Sequence, residues 1–128
     1  MMIEHISDDC YFFDSYAIIE MVKGNPNYLR FKNSDVVVSK LNVFEVCYYL
    51  LREFSEDLSN KFSQELHSSI IDFDFTIIAS AAKFKLENKH EKLSMVDCVG
   101  YKIAESLGIK FLTGDEKFKD KPNVEFVK

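Results

Sequence analysis

Proline and glycine are scarce, at 2 and 4 of 128 residues. With 47% hydrophobic and 14% aromatic content, that scarcity excludes collagen-like, low-complexity and wholly disordered chains. Long hydrophobic runs are missing too: none approaches the roughly 18 residues a membrane span needs. The opening Met1-Met2-Ile3-Glu4-His5-Ile6-Ser7-Asp8-Asp9 has neither a basic stretch nor an apolar core, so no secretory signal is expected. Cysteine is sparse. Cys10, Cys47 and Cys98 form no Cys-x-x-Cys and stand at no zinc spacing from His5, His67 or His90, so the expectation is three buried thiols in a reducing cytoplasm. No Gly-rich loop follows a strand, which removes the Walker and dinucleotide fingerprints. Basic excess is also lacking. Sixteen Lys and Arg against 21 Asp and Glu leave −5, which argues against a broad electrostatic grip on nucleic acid.

What is present is an alternation of strand-like and helix-like segments. Cys10 to Phe13 is a short apolar run ending at Asp14, and reads as a buried strand. Ala17, Ile18, Met21 and Val22 have helical spacing, and Gly24-Asn25-Pro26 stops that helix. Residues 27–34 fit no single pattern. Val36-Val37-Val38 suits a strand covered on both faces. Helices are expected over 41–54, 55–67 and 75–88, with a third strand over 69–73. Ser94 opens another helix, Asp97 lies at capping-box spacing from it, and Gly108 closes it. Strands follow at 109–112 and 124–127. The length suits one domain, 1–128, and the alternation predicts a three-layer α/β fold with a mostly parallel central sheet.

In such a sheet, ligands bind at the carboxyl ends of the strands. Asp14 ends the first strand and Asp115 lies just past the fourth. Asp97 sits in the first turn of the helix that feeds the fourth strand. Glu45 lies inside Leu41 to Leu51, where nine of eleven residues are apolar. Leu41, Phe44, Tyr48 and Leu51 share one helical face beside it, the expected core face. Each acid also has an ordinary reading: Asp14, Asp97 and Asp115 as helix caps, Glu45 as a solvent-pointing side chain. Their combination is restrictive. Two carboxylates about 4 Å apart repel by roughly 4 kcal/mol at an effective dielectric near 20, so four converging acids protonate in part or hold a cation. No Lys or Arg lies within two residues of Asp14, Glu45 or Asp97, and Lys117 beside Asp115 is the one exception. Oxygen-only ligands suit Mg²⁺ or Mn²⁺, and the matching chemistry is metal-assisted phosphodiester hydrolysis. Setting the four acids aside leaves 17 acids against 16 bases, so most of the −5 belongs to this set.

These segments resemble the PIN-domain nucleases. Phe12-Phe13-Asp14-Ser15 is similar to the family's opening strand end, and Glu45 matches its second acid. The run from Leu93 to Phe118, with Asp97 at a helix start and Thr113-Gly114-Asp115 after a strand, is similar to its third segment. The resemblance spans nearly the whole chain, at the length of a VapC-like toxin. It implies an Mg²⁺ or Mn²⁺ site at Asp14, Glu45, Asp97 and Asp115, with Ser15 and Thr113 as supporting hydroxyls. It further implies an endoribonuclease toxin of the cytoplasm, with RNA as substrate and a small antitoxin and a second copy as partners, the 41–67 helical hairpin being a surface for either. Two other readings accompany it: a non-catalytic PIN-like interaction module, and a nuclease of RNA processing with no toxin role. Two positions depart from the family pattern. Tyr16 stands where a small polar residue is usual, and Gly100 stands inside a helix.

Other acids have ordinary readings. Asp8-Asp9 resembles the acid pair of receiver domains but precedes its strand, so it reads as solvated chain. Asp72 and Asp74 suit turns or caps. The 12 Phe and 6 Tyr read mainly as core.

Overall fold

A computed structural model describes residues 9–128. The N-terminal targeting reading, His5 and Asp8 fall outside them, and Asp9 is exposed. The chain runs β1 (Cys10–Phe13), α1 (Ser15–Val22), β2 (Asp35–Val37), α2 (Lys40–Glu53), α3 (Glu56–Leu66), α4 (Phe75–Glu87), α5 (Met95–Leu107), β3 (Lys110–Thr113) and β4 (Val124–Phe126). The stretch that fitted no pattern holds a 3-10 helix, Pro26–Phe31, capped by the Asn25 side chain.

The sheet order is β2-β1-β3-β4, and every pairing is parallel. Side chains alternate across it, as the pleat requires. Phe12 and Phe111 point to one face and pack with Tyr101, Ala104 and Phe118 in a cluster reached by α4 and α5. Phe13 and Leu112 point to the other and pack with Ala17, Tyr28, Val46 and Leu50. Each of the buried Phe, Leu and Val side chains among these contributes roughly 1.5–3 kcal/mol of apolar transfer. Helices therefore cover both faces, and the continuous apolar strands are explained.

Of the three cysteines only Cys98 is buried; Cys10, at the start of β1, and Cys47, on the side of α2 that meets Ser59, are half-buried. Two expectations about the elements also fail. The third strand over 69–73 shrinks to one parallel bridge, Val38 with Ile70. A 3-10 turn at His67–Ser69 brings the chain alongside β2 for that one step. Ile71 and Phe73 then leave to pack on the α4/α5 cluster, and Asp74 caps α4 by accepting from the Thr76 and Ile77 amides. The second failure is the face of α2. Phe44 is 73% exposed, Tyr48 56% and Leu51 52%, while Asn42, Val46 and Leu50 form the buried face. Phe54 and Phe75 are exposed as well, so not all the aromatics belong to the core.

Gly100 is explained by close approach. A Cβ there would lie 2.6 Å from the Phe12 ring, so glycine lets α5 rest directly on the stacked Phe12–Phe111 pair. No helix is long and apolar enough to cross a membrane among the described residues.

Candidate active site

The strand order reverses between β1 and β3: β2 lies on one side of β1, and β3 and β4 on the other. Open parallel sheets bind ligands at the carboxyl edge of such a switch point. Asp14 leaves β1 at this edge, and Thr113-Gly114-Asp115 leaves β3 beside it. The Asp14 amide donates to the Leu112 carbonyl at 3.1 Å, extending the β1–β3 pairing and fixing the residue that follows the strand.

Asp14 is 2% exposed. One carboxylate oxygen accepts from the Ala17 amide at 2.8 Å, so the cap reading is correct, and the Thr113 hydroxyl also bonds to the carboxylate. Burial nevertheless pushes the Asp14 carboxyl up to about 8, and the charges of Asp97 and Asp115 push in the same direction. Asp97 is half-buried at the start of α5, where its amide donates to the Ser94 hydroxyl at 3.0 Å. Burial raises its carboxyl to about 6 against the Ser94 hydroxyl bond; the charges of Glu45 and Asp115 add to the rise, and Lys117 opposes it. Asp115 accepts from the Lys117 amide at 2.9 Å, and its own amide donates to the Thr113 hydroxyl at 3.0 Å.

Glu45 is reached through α2. The Ser15 hydroxyl donates to Glu45 Oε1 at 2.5 Å, and the Asn42 amide nitrogen donates to the Ser15 oxygen at 3.2 Å. Asn42 is itself held by Ser39, whose hydroxyl donates to Asn42 Oδ1 at 2.7 Å in a reciprocal capping box at the start of α2. The four sequence-selected acids therefore act on one another electrostatically: Asp14 with Asp97 and Asp115, and Asp97 with Glu45 and Asp115. Ser15 and Thr113 touch an acid each. Asn42 and Ser39 escaped the sequence reading. The available signal was a polar residue within an apolar run, three positions after a serine and three before Glu45.

Tyr16 does not stand free. Its ring packs over Gly114, where a Cβ would lie 2.1 Å from the ring and 2.5 Å from the Val127 carbonyl. The large residue at 16 and the glycine at 114 accommodate each other. Lys128 Nζ lies 5.9 Å from the Tyr16 ring centroid.

Among the described residues, no three acidic, cysteine or histidine side chains close into a ready metal cage. The donor chemistry still fits a hard divalent ion. All four groups are carboxylates, burial and mutual repulsion raise the protonation of Asp14 and Asp97, and Lys117 opposes the rise at Asp97. Mg²⁺ characteristically keeps several waters and takes only one or two carboxylates directly.

The family model of the PIN domain matches residues 11–124. The chain belongs to the PIN domain family. PIN domains are nucleases. No curated protein matches this one. Solved structures share its fold. A toxin–antitoxin complex from Klebsiella pneumoniae aligns at 18% identity and TM-score 0.70, covering 90% of this chain and 95% of its own. VapBC2 from Rickettsia felis, bound to a promoter DNA fragment, aligns at 18% and 0.69, covering 93% and 99%. DNA-bound VapBC from Salmonella typhimurium aligns at 14% and 0.69, covering 91% and 95%.

Proposed function

We propose that this PIN domain, taken as a single unit over 1–128, is a metal-dependent endoribonuclease and the toxin of a toxin–antitoxin pair. One observation carries the reading: four carboxylates around the switch point of the sheet act on one another electrostatically, and the most buried of them, Asp14, is pushed up to about 8 by burial first and by the charges of Asp97 and Asp115. A fold that retains such a cluster without an internal counter-charge at Asp14 is suited to an external cation.

Asp14, Glu45, Asp97 and Asp115 are the groups that would hold Mg²⁺ or Mn²⁺. The bound ion would supply a more acidic water and neutralise charge at the leaving oxygen. The chain's own part is orientation. The Ala17 amide and Thr113 hydroxyl set Asp14, the Ser94 hydroxyl sets Asp97, and the Ser15 hydroxyl sets Glu45. The toxin role is supported by structural neighbours that are toxin–antitoxin complexes. On this reading an antitoxin and a second copy are the protein partners, RNA is the substrate, and the cytoplasm, where free Cys10, Cys47 and Cys98 stay reduced, is the compartment.

The test is RNA cleavage by purified protein with Mn²⁺ or Mg²⁺. Asp14→Asn and Asp97→Asn should each lose at least about a hundredfold in rate, since a metal contributes several kcal/mol to the transition state. Unchanged cleavage in both variants, or none by the metal-loaded parent, overturns the proposal. A small neighbouring reading frame whose product represses that cleavage would identify the antitoxin.

A further inference from the structure

We propose that Asn42 is a positioning residue of the metal site: through the Ser15 hydroxyl it fixes the direction in which Glu45 presents its carboxylate. This rests on the reading of Glu45 as a metal-binding acid.

The hydrogen-bond chain admits only one polarity. The Ser39 backbone N–H can only donate, and it faces an Asn42 side-chain atom at 3.2 Å. That atom must be the carbonyl oxygen, so the orientation of the amide is fixed rather than chosen. The same oxygen accepts from the Ser39 hydroxyl at 2.7 Å, which fills its two lone pairs. The Asn42 NH₂ is left facing the Ser15 oxygen at 3.2 Å, and it cannot accept. The Ser15 proton therefore has no place on Asn42 and goes to Glu45 Oε1, 2.5 Å away. Direction passes from the backbone of Ser39, through Asn42 and Ser15, to one oxygen of Glu45.

The identity of residue 42 supports a role beyond capping. Asn42 and Ser39 are both 0% exposed, inside a segment otherwise rich in Leu, Val and Tyr. The usual capping-box partner at this helix position is Glu or Gln. Glutamate would accept where Asn42 donates and would add a fifth negative charge beside the four acids. Asparagine both closes the cap and supplies the N–H that Ser15 needs. Asn42 and Glu45 also stand three residues apart on α2, so one helical turn carries both the anchor and the anchored group.

The test measures Mn²⁺ affinity by calorimetry on the full chain and its Asn42→Leu, Ser15→Ala and doubly substituted variants, with a urea midpoint for each. Asn42→Leu and Ser15→Ala should each weaken Mn²⁺ binding by about tenfold, and the double variant should bind within about twofold of Ser15→Ala, because both changes break one chain. A further tenfold loss in the double variant, or parental affinity in Asn42→Leu, overturns the proposal. Should Asn42→Leu lose its cooperative urea transition, Asn42→Ser takes its place: the shorter side chain stays near Ser39 and cannot reach Ser15. Metal-free crystal structures supply a readout independent of Mn²⁺. In the Asn42 variant the Ser15–Glu45 separation should open beyond hydrogen-bonding range, and retention of 2.5 Å overturns the proposal. A parent that binds no Mn²⁺ defeats the metal reading of Glu45, while the crystal comparison still decides whether Asn42 directs it.

Discussion

Asp14 meets two demands that pull in opposite directions. As the cap of α1 it must lie at the end of β1, under the helix; in the metal-binding role proposed for it, it must be ionised there. Its folded-state carboxyl sits near 8 and that of Asp97 near 6, against an ordinary 3.8. Between those values the folded chain keeps protons that the unfolded chain has released, so folding stability falls as pH rises. The contribution is complete below about pH 4; the Asp97 share is gone once pH passes about 6, and the Asp14 share once it passes about 8. Metal-free protein should therefore show a lower urea midpoint at pH 8.5 than at pH 5, and saturating Mn²⁺ should remove most of the difference. A flat or rising midpoint rejects the buried-acid picture. Asp14→Asn should raise the metal-free melting temperature at pH 8.5 by about 4 °C or more, on the order of 1 kcal/mol, while abolishing cleavage. Scanning calorimetry and an RNA assay on one preparation check both halves. These acids were legible in the sequence because strand ends and helix starts can be located from pattern, and an acid at such a place is conspicuous. Asn42 was not. Nothing in the pattern distinguishes a buried asparagine that aims a neighbour from one that only caps a helix; the distinction lies in which atoms face Ser15 and Ser39.

At the scale of elements, local preference and packing disagree at α5. Helix propensity favours Ala over Gly by about 1 kcal/mol, so Gly100→Ala looks stabilising from sequence. A Cβ at 2.6 Å from the ring of the fully buried Phe12 opposes it, and overpacking of this kind typically costs 1–3 kcal/mol. Packing should win, with a lower urea midpoint at unchanged m-value; a midpoint at or above the parent's contradicts the contact. The extents of β1, β3 and all five long helices follow from periodicity and caps to within a residue or two. The failures share a cause. Residues 69–73 have strand composition, but they form a single bridge opposite Val38, made by the Ser69 carbonyl and the Ile71 amide on either side of Ile70, and pairing is not a local property. In α2, both the Leu41-Phe44-Tyr48-Leu51 stripe and the Asn42-Val46-Leu50 stripe have helical spacing, and only the position of the sheet decides which faces inward. Because Phe44, Tyr48 and Leu51 of the first stripe are exposed, Phe44→Ser and Tyr48→Ser should each change urea stability by no more than about 0.5 kcal/mol, whereas Val46→Ala should cost about 1–3 kcal/mol.

For the molecule as a whole, the deficit of positive charge first suggested a protein that avoids nucleic acid. The site concentrates acidity at one edge of the sheet, and a phosphodiester approaches that edge favourably only with a cation between them. The strand order sets a further condition. β1 is central, and the neighbour that holds Asp14 through the Leu112 carbonyl is β3, contributed late in the chain. During synthesis the ribosome exposes Asp14 and Glu45 long before Lys110–Thr113 exists to dock against β1. A growing chain of this kind has half its acids and no seat for the first of them. The proposed site is completed only when β3 inserts, so for most of the time a ribosome holds this chain that site has not yet formed.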